Sequence, residues 1–339
     1  MSQAANVSGG ADAVSGAFGQ GLEYFMASNE ERKEMAANAT TLQEDEWRTI
    51  TDRMVEIYRA ELVGISDLMN AGLTRDISLA TKVDLWQTLS EMTPAEVSMD
   101  GETESEEDRV TYQTEGVPVP IVHKDFRIGE RDLLTSRNLN NDLRTDMVAD
   151  STRAVTETLE DILFYGWNPQ VTDDRDSFEL YGYTNHPDRN TVSSDGWART
   201  GADAENIRND LVDVLDELDE DNRTGGGFWG YLGPGAWRTL RAAIDPEGDG
   251  NLTVRQRLED EFDQEFGAFR RTDRLDDDQA VFVDPRQDVV ELAVAEDVQT
   301  VEWQSGSGMT NHFKIMAAMA PEIKSDSKGQ SGIVELTGI

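Results

Sequence analysis

The residues with the most regular ligand-like spacing form an acidic run, Asp245-Pro246-Glu247-Gly248-Asp249-Gly250-Asn251. Asp245, Glu247 and Asp249 stand at the first, third and fifth positions with Gly250 at the sixth, the pattern by which a calcium loop presents oxygen atoms to a hard cation. The twelfth position, which must supply a bidentate carboxylate, is Gln256. The run therefore offers cation-attracting oxygens without the residue that closes a calcium site, and a solvated acidic loop is the competing reading. Gly225, Gly227 and Gly230 match the glycine spacing of a dinucleotide fingerprint. That fingerprint must leave a strand and open a helix, whereas here a helical pattern precedes it and Phe228, Trp229 and Tyr231 read as a strand, so a turn is expected. His123, His186 and His312 each lack a second ligand or a nucleophile at motif spacing. The absence of cysteine removes disulfides, thiolate ligands and a cysteine nucleophile together. Nothing in this inventory describes an enzyme, and no cofactor is expected beyond nonspecific or loop-bound cations.

The elements that would position these residues follow from periodicity. An alternating segment, VPVPIVHKDFRIGERDL from Val117 to Leu133, leads into a long amphipathic helix. In that helix Leu143, Met147, Ala154, Val155, Leu159, Ile162 and Leu163 recur on one stripe. Asn140 or Asn141 would cap its start, and Gly166 followed by Pro169 would stop it, giving roughly 24 to 26 residues. Upstream, Thr41 and Glu44 have capping-box spacing at the head of a helix whose apolar face is Leu42, Trp47, Ile50, Met54, Ile57, Tyr58 and Leu62, and Gly64 is expected to end it. Between Ile65 and Thr93 the pattern is weak, although Leu79, Val83, Leu85, Trp86 and Leu89 call for burial. Val97 and Met99 on one side of Asp100-Gly101, and Val110, Tyr112 and Thr114 on the other, predict a β finger; its tip, DGETESEED, has six acidic residues in nine. An acidic surface loop is the alternative for that segment. Helices are expected over Ala202 to Asp219, with Ile207, Leu211, Val214, Leu215 and Leu218 on one face, and over Ala236 to Ile244 and Val254 to Phe266. Strands are expected at FWGYLG, Ala280–Val283, Val289–Val294, Val298–Trp303, Phe313–Met319 and Ile333–Leu336.

Composition sets the environment. Thirty basic residues, only six of them lysine, face 68 acidic ones among 339, a formal charge of −38. So dense a like-charged surface repels itself unless mobile cations screen it, as at molar salt, where the Debye length falls to about 3 Å. A halophile is the natural source. Seven Trp, eleven Phe and seven Tyr with periodic apolar stripes argue against an acidic disordered chain. No basic cluster provides a footprint for sequence-specific nucleic-acid binding. No stretch reaches the roughly 20 apolar residues of a membrane helix, and the first residues carry no signal-peptide pattern.

Taken in order, these elements resemble the HK97-type shell fold of tailed-virus major capsid proteins and encapsulin nanocompartments, closest to the encapsulin-like branch. The resemblance is carried by Phe126, Arg131, Asp132 and Leu133 in the strand, Glu160, Asp161, Tyr165 and Gly166 at the helix end, and Tyr183, Asn185, His186 and Pro187 in LYGYTNHP. It implies an α+β chain with an N-terminal arm (1–40), a first helix and P-domain entry (41–93), an E-loop hairpin (94–118), a P-domain with spine helix (119–200), an A-domain (201–308) and returning P-domain strands (309–339). It also implies a non-enzymatic shell subunit that self-assembles into pentamers and hexamers. The leading expectation is the capsid of a tailed virus of a haloarchaeon, assembled in the host cytoplasm around double-stranded DNA, with portal, scaffolding and decoration proteins as possible partners. An anionic inner wall would keep that DNA from sticking. An encapsulin-like compartment with an enzyme cargo, docked near Trp47 to Tyr58, is the alternative, and a soluble halophilic enzyme a weaker one. By position, Asp245, Glu247 and Asp249 would line the capsomer pore. Arg127, Arg131, Arg137 and Arg144 are candidates for pairing with acidic neighbouring subunits, with simple surface charge as their other reading.

Overall fold

A computed structural model describes residues 63–90, 92, 99, 109–129, 131–132, 143–172, 177–197, 204–221, 223, 225–242, 253–305 and 309–339. The arm, the Thr41 helix, the DGETESEED tip, the cap at Asn140 or Asn141, and Asp245 to Asn251 lie outside these residues. Two compact units divide the chain, one holding His123–Val155 and Val298–Ala317, the other Ala60–Val122, Thr156–Asp297 and Ala318–Ile339.

The spine is helix α2, Leu143–Tyr165, 23 residues or about 35 Å at 1.5 Å per residue. Its apolar stripe is buried at Val148, Val155, Leu159, Ile162 and Leu163. Thr152, Thr156 and Glu160, spaced four apart, are buried as well. Ahead of it lies α1, Gly64–Asn70. Gly64 is the first residue of this helix, and the helix it was expected to end lies outside the described residues. It takes no left-handed conformation; it is needed because a Cβ there would stand 2.5 Å from Leu163 Cδ2 of the spine.

In the larger unit, strands β7 (Asn190–Ser193), β8 (Phe228–Leu232), β9 (Phe266–Arg271), β10 (Gln279–Val283) and β13 (Ile333–Thr337) form a sheet in the order β7-β13-β10-β8-β9. Helices α3 (Ala204–Glu220), α4 (Pro234–Ala242) and α5 (Val254–Glu261) accompany it. Ile207, Leu211, Val214 and Leu218 of α3 join Phe228, Leu232, Leu240, Leu258, Phe282 and Leu336 in one core. This is the expected α3 face, with Leu215 at its margin. The Gly225–Gly230 run is a turn into β8, with Gly226 and Gly227 at positive φ. Gly230 lies under Phe282, whose ring a Cβ would meet at 2.9 Å. Helix α5 stops at Glu261, not Phe266, because a turn at Phe262 returns the chain to β9, where Phe266 enters the core.

A second sheet has the order β1-β11-β12-β4, made of β1 (Thr74–Asp76), β4 (Ile121–Gly129), β11 (Val290–Gln304) and β12 (Thr310–Ile323). The two strands expected over Val289–Val294 and Val298–Trp303 are a single 15-residue strand. Ala295, Glu296 and Asp297 look like a break, yet sheet pairing overrides weak local propensity, and they occupy a partly open stretch of the strand.

The finger differs from expectation. Strand β3 (Tyr112–Pro118) pairs antiparallel with β2 (Val83–Leu89), in register from Val83 opposite Pro118 to Leu89 opposite Tyr112. The ribbon therefore takes in a segment that the sequence left weakly patterned, and starts before residue 94. Val97 is outside the described residues. Leu85, expected to be buried, is 53% exposed, because it stands on the open side of a two-stranded ribbon. A further ribbon pairs β5 (Trp167–Thr172) with β6 (Ser177–Leu180).

Candidate functional site

Three features of the larger unit decide what the chain can do. The first is the joint between LEDILFYG and LYGYTNHP. A helix end leaves four carbonyls without partners. Here Gly166 N–H donates to Ile162 O at 2.8 Å, Tyr183 N–H to Leu163 O at 3.0 Å, and both Thr184 N–H and Thr184 Oγ1 to Phe164 O at 2.8 Å. Gly166, at φ +71°, turns the chain out of the helix. The two motifs approach so closely that a Cβ on Gly182 would lie 2.4 Å from Gly166 N. Asn185 Oδ1 accepts from Gly182 N–H at 2.6 Å and holds the turn. Residues about twenty apart in sequence are thus two halves of one helix cap.

Beside that cap lies a buried polar cluster. Glu160, 2% exposed, accepts the backbone N–H groups of Val63 and, at 2.8 Å, Gly64, so a spine carboxylate caps the N-terminus of α1. Burial pushes its carboxyl up to about 7 against the pull of those amides. Phe164, Tyr183 and Tyr231 pack around one another with ring centroids 5.5 to 6.2 Å apart. Tyr231 Oη donates to Asp67 Oδ2 at 3.2 Å, and Arg270 Nε donates to the same oxygen. Burial raises the Asp67 carboxyl although Arg270 opposes it. The sequence marked Glu160 only as a motif match. The signal for its burial was the Thr152, Thr156, Glu160 row on the helix.

The third feature is the β2–β3 ribbon. Leu85 at 53% and Tyr112 at 67% exposure are large apolar side chains left uncovered among the described residues, as are Met92 and Met99. A two-stranded ribbon is marginal in water alone. At its root a cavity of about 360 Å³ is lined by Trp86, Glu115, Phe178, Tyr181, His186 and Asp188 among others.

Among the described residues the three histidines have different partners. His186 is buried and held below its usual range by burial, with Nδ1 accepting from Asp188 N–H at 3.3 Å. His312 stacks on Trp303 at 5.3 Å, and His123 lies on the surface 3.5 Å from Asp125. Among the described residues no group of three or more His, Asp or Glu could hold a metal ion. Asp245, Glu247 and Asp249 lie outside those residues, but Gln256 is described. Its Oε1 accepts from Thr253 N–H at 3.0 Å while Thr253 Oγ1 accepts from Gln256 N–H, a capping box that opens α5. The twelfth residue of the calcium-like spacing is thus engaged in a helix cap. Arg127 and Arg131 are exposed, the first on β4; Arg144 belongs to α2 and Arg137 is outside the described residues.

This architecture recurs in known proteins. The virus-like particle of Pyrococcus furiosus superposes with a TM-score of 0.60 at 17% identity, over 85% of this chain and 98% of that one. The capsid protein of Myoviridae phage XM1 gives 0.62 at 11% identity, over 80% and 92%. In sequence, the type 1 encapsulin shell protein EncA of Myxococcus xanthus (strain DK1622) is 25% identical over 292 residues, 84% of this chain and 90% of its own. The fold is the α+β HK97-type shell fold common to capsids and encapsulins. No helix among the described residues is long and apolar enough to cross a membrane. A family profile, that of the family of unknown function DUF6260, matches residues 36–336, and the chain therefore belongs to that family.

Proposed function

We propose that this protein is the major capsid protein of a tailed virus of a halophilic archaeon, a non-enzymatic subunit that assembles into pentamers and hexamers of a closed shell around DNA. The observation that carries the shell reading is the exposed ribbon on an HK97-type fold. Leu85 and Tyr112 would gain a dry environment against another subunit, which would couple folding of the ribbon to assembly. The formal charge of −38 supports a halophilic source. Arg127, Arg131, Arg137 and Arg144 are proposed to pair with acidic neighbours across subunits, and Asp245, Glu247 and Asp249 to gather cations at the capsomer axis. Decoration, portal and scaffolding proteins would be its partners.

A second reading, an encapsulin-like compartment, is favoured by the 25% identity to the Myxococcus shell protein. Electron microscopy of the protein purified in molar salt tests the shared part: closed shells are expected, and a monomer or small oligomer under all assembly conditions would overturn both readings. Shells isolated from the native host separate them. Nuclease-protected DNA marks the capsid, and a stoichiometric co-purifying enzyme marks the compartment.

A further inference from the structure

The root of the ribbon is joined to the second sheet by ionisable side chains. Arg75 of β1 donates through Nη2 to Asp84 Oδ2 of β2 at 2.6 Å and to Glu322 Oε1 of β12 at 2.5 Å. Its Nε stands 3.6 Å from Glu291 Oε2 of β11. Lys324 Nζ lies 2.7 Å from Glu291 Oε2 and 3.8 Å from Glu322 Oε2. Gln287 completes the set by donating to Glu291 Oε1 at 2.6 Å. Glu322 is 0%, Glu291 3% and Asp84 8% exposed, so the carboxylates are shielded and water reaches the network mainly through Arg75 and Lys324.

The count does not balance. Asp84, Glu291 and Glu322 bring three negative charges, and Arg75 and Lys324 bring two positive ones. Arg75 Nη2 draws Asp84 and Glu322 onto a single nitrogen, and two adjacent carboxylates resist ionising together. Glu322 Oε2 accepts no hydrogen bond among the described residues.

We propose that a proton on Glu322, beside Asp84, supplies the missing positive charge of this network, and that its release in mild alkali unlocks the root of the β2–β3 ribbon. Glu322, buried and beside Asp84, is the group that keeps its proton to about pH 7, against the opposing pull of Arg75 and Lys324. Glu291, by contrast, is held below its usual range by Lys324, Gln287 and Arg75, although burial acts the other way. With its folded value above its free value of 4.5, Glu322 favours the closed root most at low pH, and that support is lost as the pH rises through 7. The consequence for assembly, that the ribbon's angle toward a neighbour responds to protons, rests on the shell reading. The lock itself does not.

Hydrogen exchange of the full-length protein in molar salt tests it, comparing amides of β2 and β3 at about pH 6 and about pH 8.5 after correction for the intrinsic rate. With an ionisation near 7 in the closed root and 4.5 in the open one, protection should fall about tenfold across that interval in the wild type. Glu322→Gln and Asp84→Asn each leave two negative and two positive charges; the first removes the titrating group and should abolish the response, and the second, which leaves Glu322 buried, should shrink it. Asp84→Asn, at the more open end of the network, serves if Glu322→Gln does not fold. A wild-type root whose protection is flat with pH, or an equal fall in a folded variant, would overturn the proposal. Shell counts by microscopy in the same samples report separately on the assembly reading.

Discussion

Replacing Glu160 by Gln changes one atom at the joint between the spine and α1 and reverses the usual expectation that deleting a buried charge destabilises. Two effects oppose each other at this carboxyl. Charge-assisted bonds from the Val63 and Gly64 amides favour the ionised form, and each such bond is worth about 1.5–3 kcal/mol. Removal from water disfavours it, and here burial prevails, lifting the carboxyl from 4.5 to about 7. Its contribution is therefore complete below pH 4.5 and declines as the pH rises to 7, for a loss of about 3 kcal/mol above it. Glutamine keeps an oxygen for the two amides and cannot ionise. Glu160→Gln should accordingly match the wild type at about pH 4 and exceed it by about 3 kcal/mol at pH 8. Denaturant midpoints of both proteins, at one concentration and in molar salt across that pH range, provide the assay. A variant less stable than wild type at pH 8, or a difference that does not grow with pH, would refute the reasoning by showing that the amide bonds outweigh burial.

Gly182→Ala should cost about 3 kcal/mol, read as a lowered denaturation midpoint, because its Cβ would fall 2.4 Å from Gly166 N and 2.6 Å from Phe164 C, both backbone atoms that cannot swing aside. Leu85→Asp combined with Tyr112→Asp should leave the far-ultraviolet circular dichroism and midpoint of the unassembled chain within about 0.5 kcal/mol of wild type while abolishing closed shells in micrographs. Replacing Asp245 and Asp249 by Asn and Glu247 by Gln should remove any stabilisation of assembled shells by added calcium or magnesium; an undiminished cation effect would place those ions elsewhere.

The separate elements were legible because their signals are local. The apolar stripe of α2, the face of α3 and the Gly166 stop needed no partner to be recognised, and the glycine run before Phe228 declared itself a turn by its context. The ribbon was misplaced because β2 has no strong alternation of its own: Asp84 points into the ion network and Leu85 outward, opposite to what their chemistry alone suggests. Gly64 has a second role that local spacing did not show. It looked like a stop, while its smallness serves a helix approaching from a hundred residues away.

The sequence by itself determined the charge, the helical stripes and the presence of two short motifs, since these depend on composition and on spacings of a few residues. Only the tertiary structure decided that those motifs form one cap, that Glu160 and Glu322 are buried carboxyls, and that Leu85 and Tyr112 stand uncovered. Each of these depends on which distant segments displace water from a side chain, and no local spacing records that.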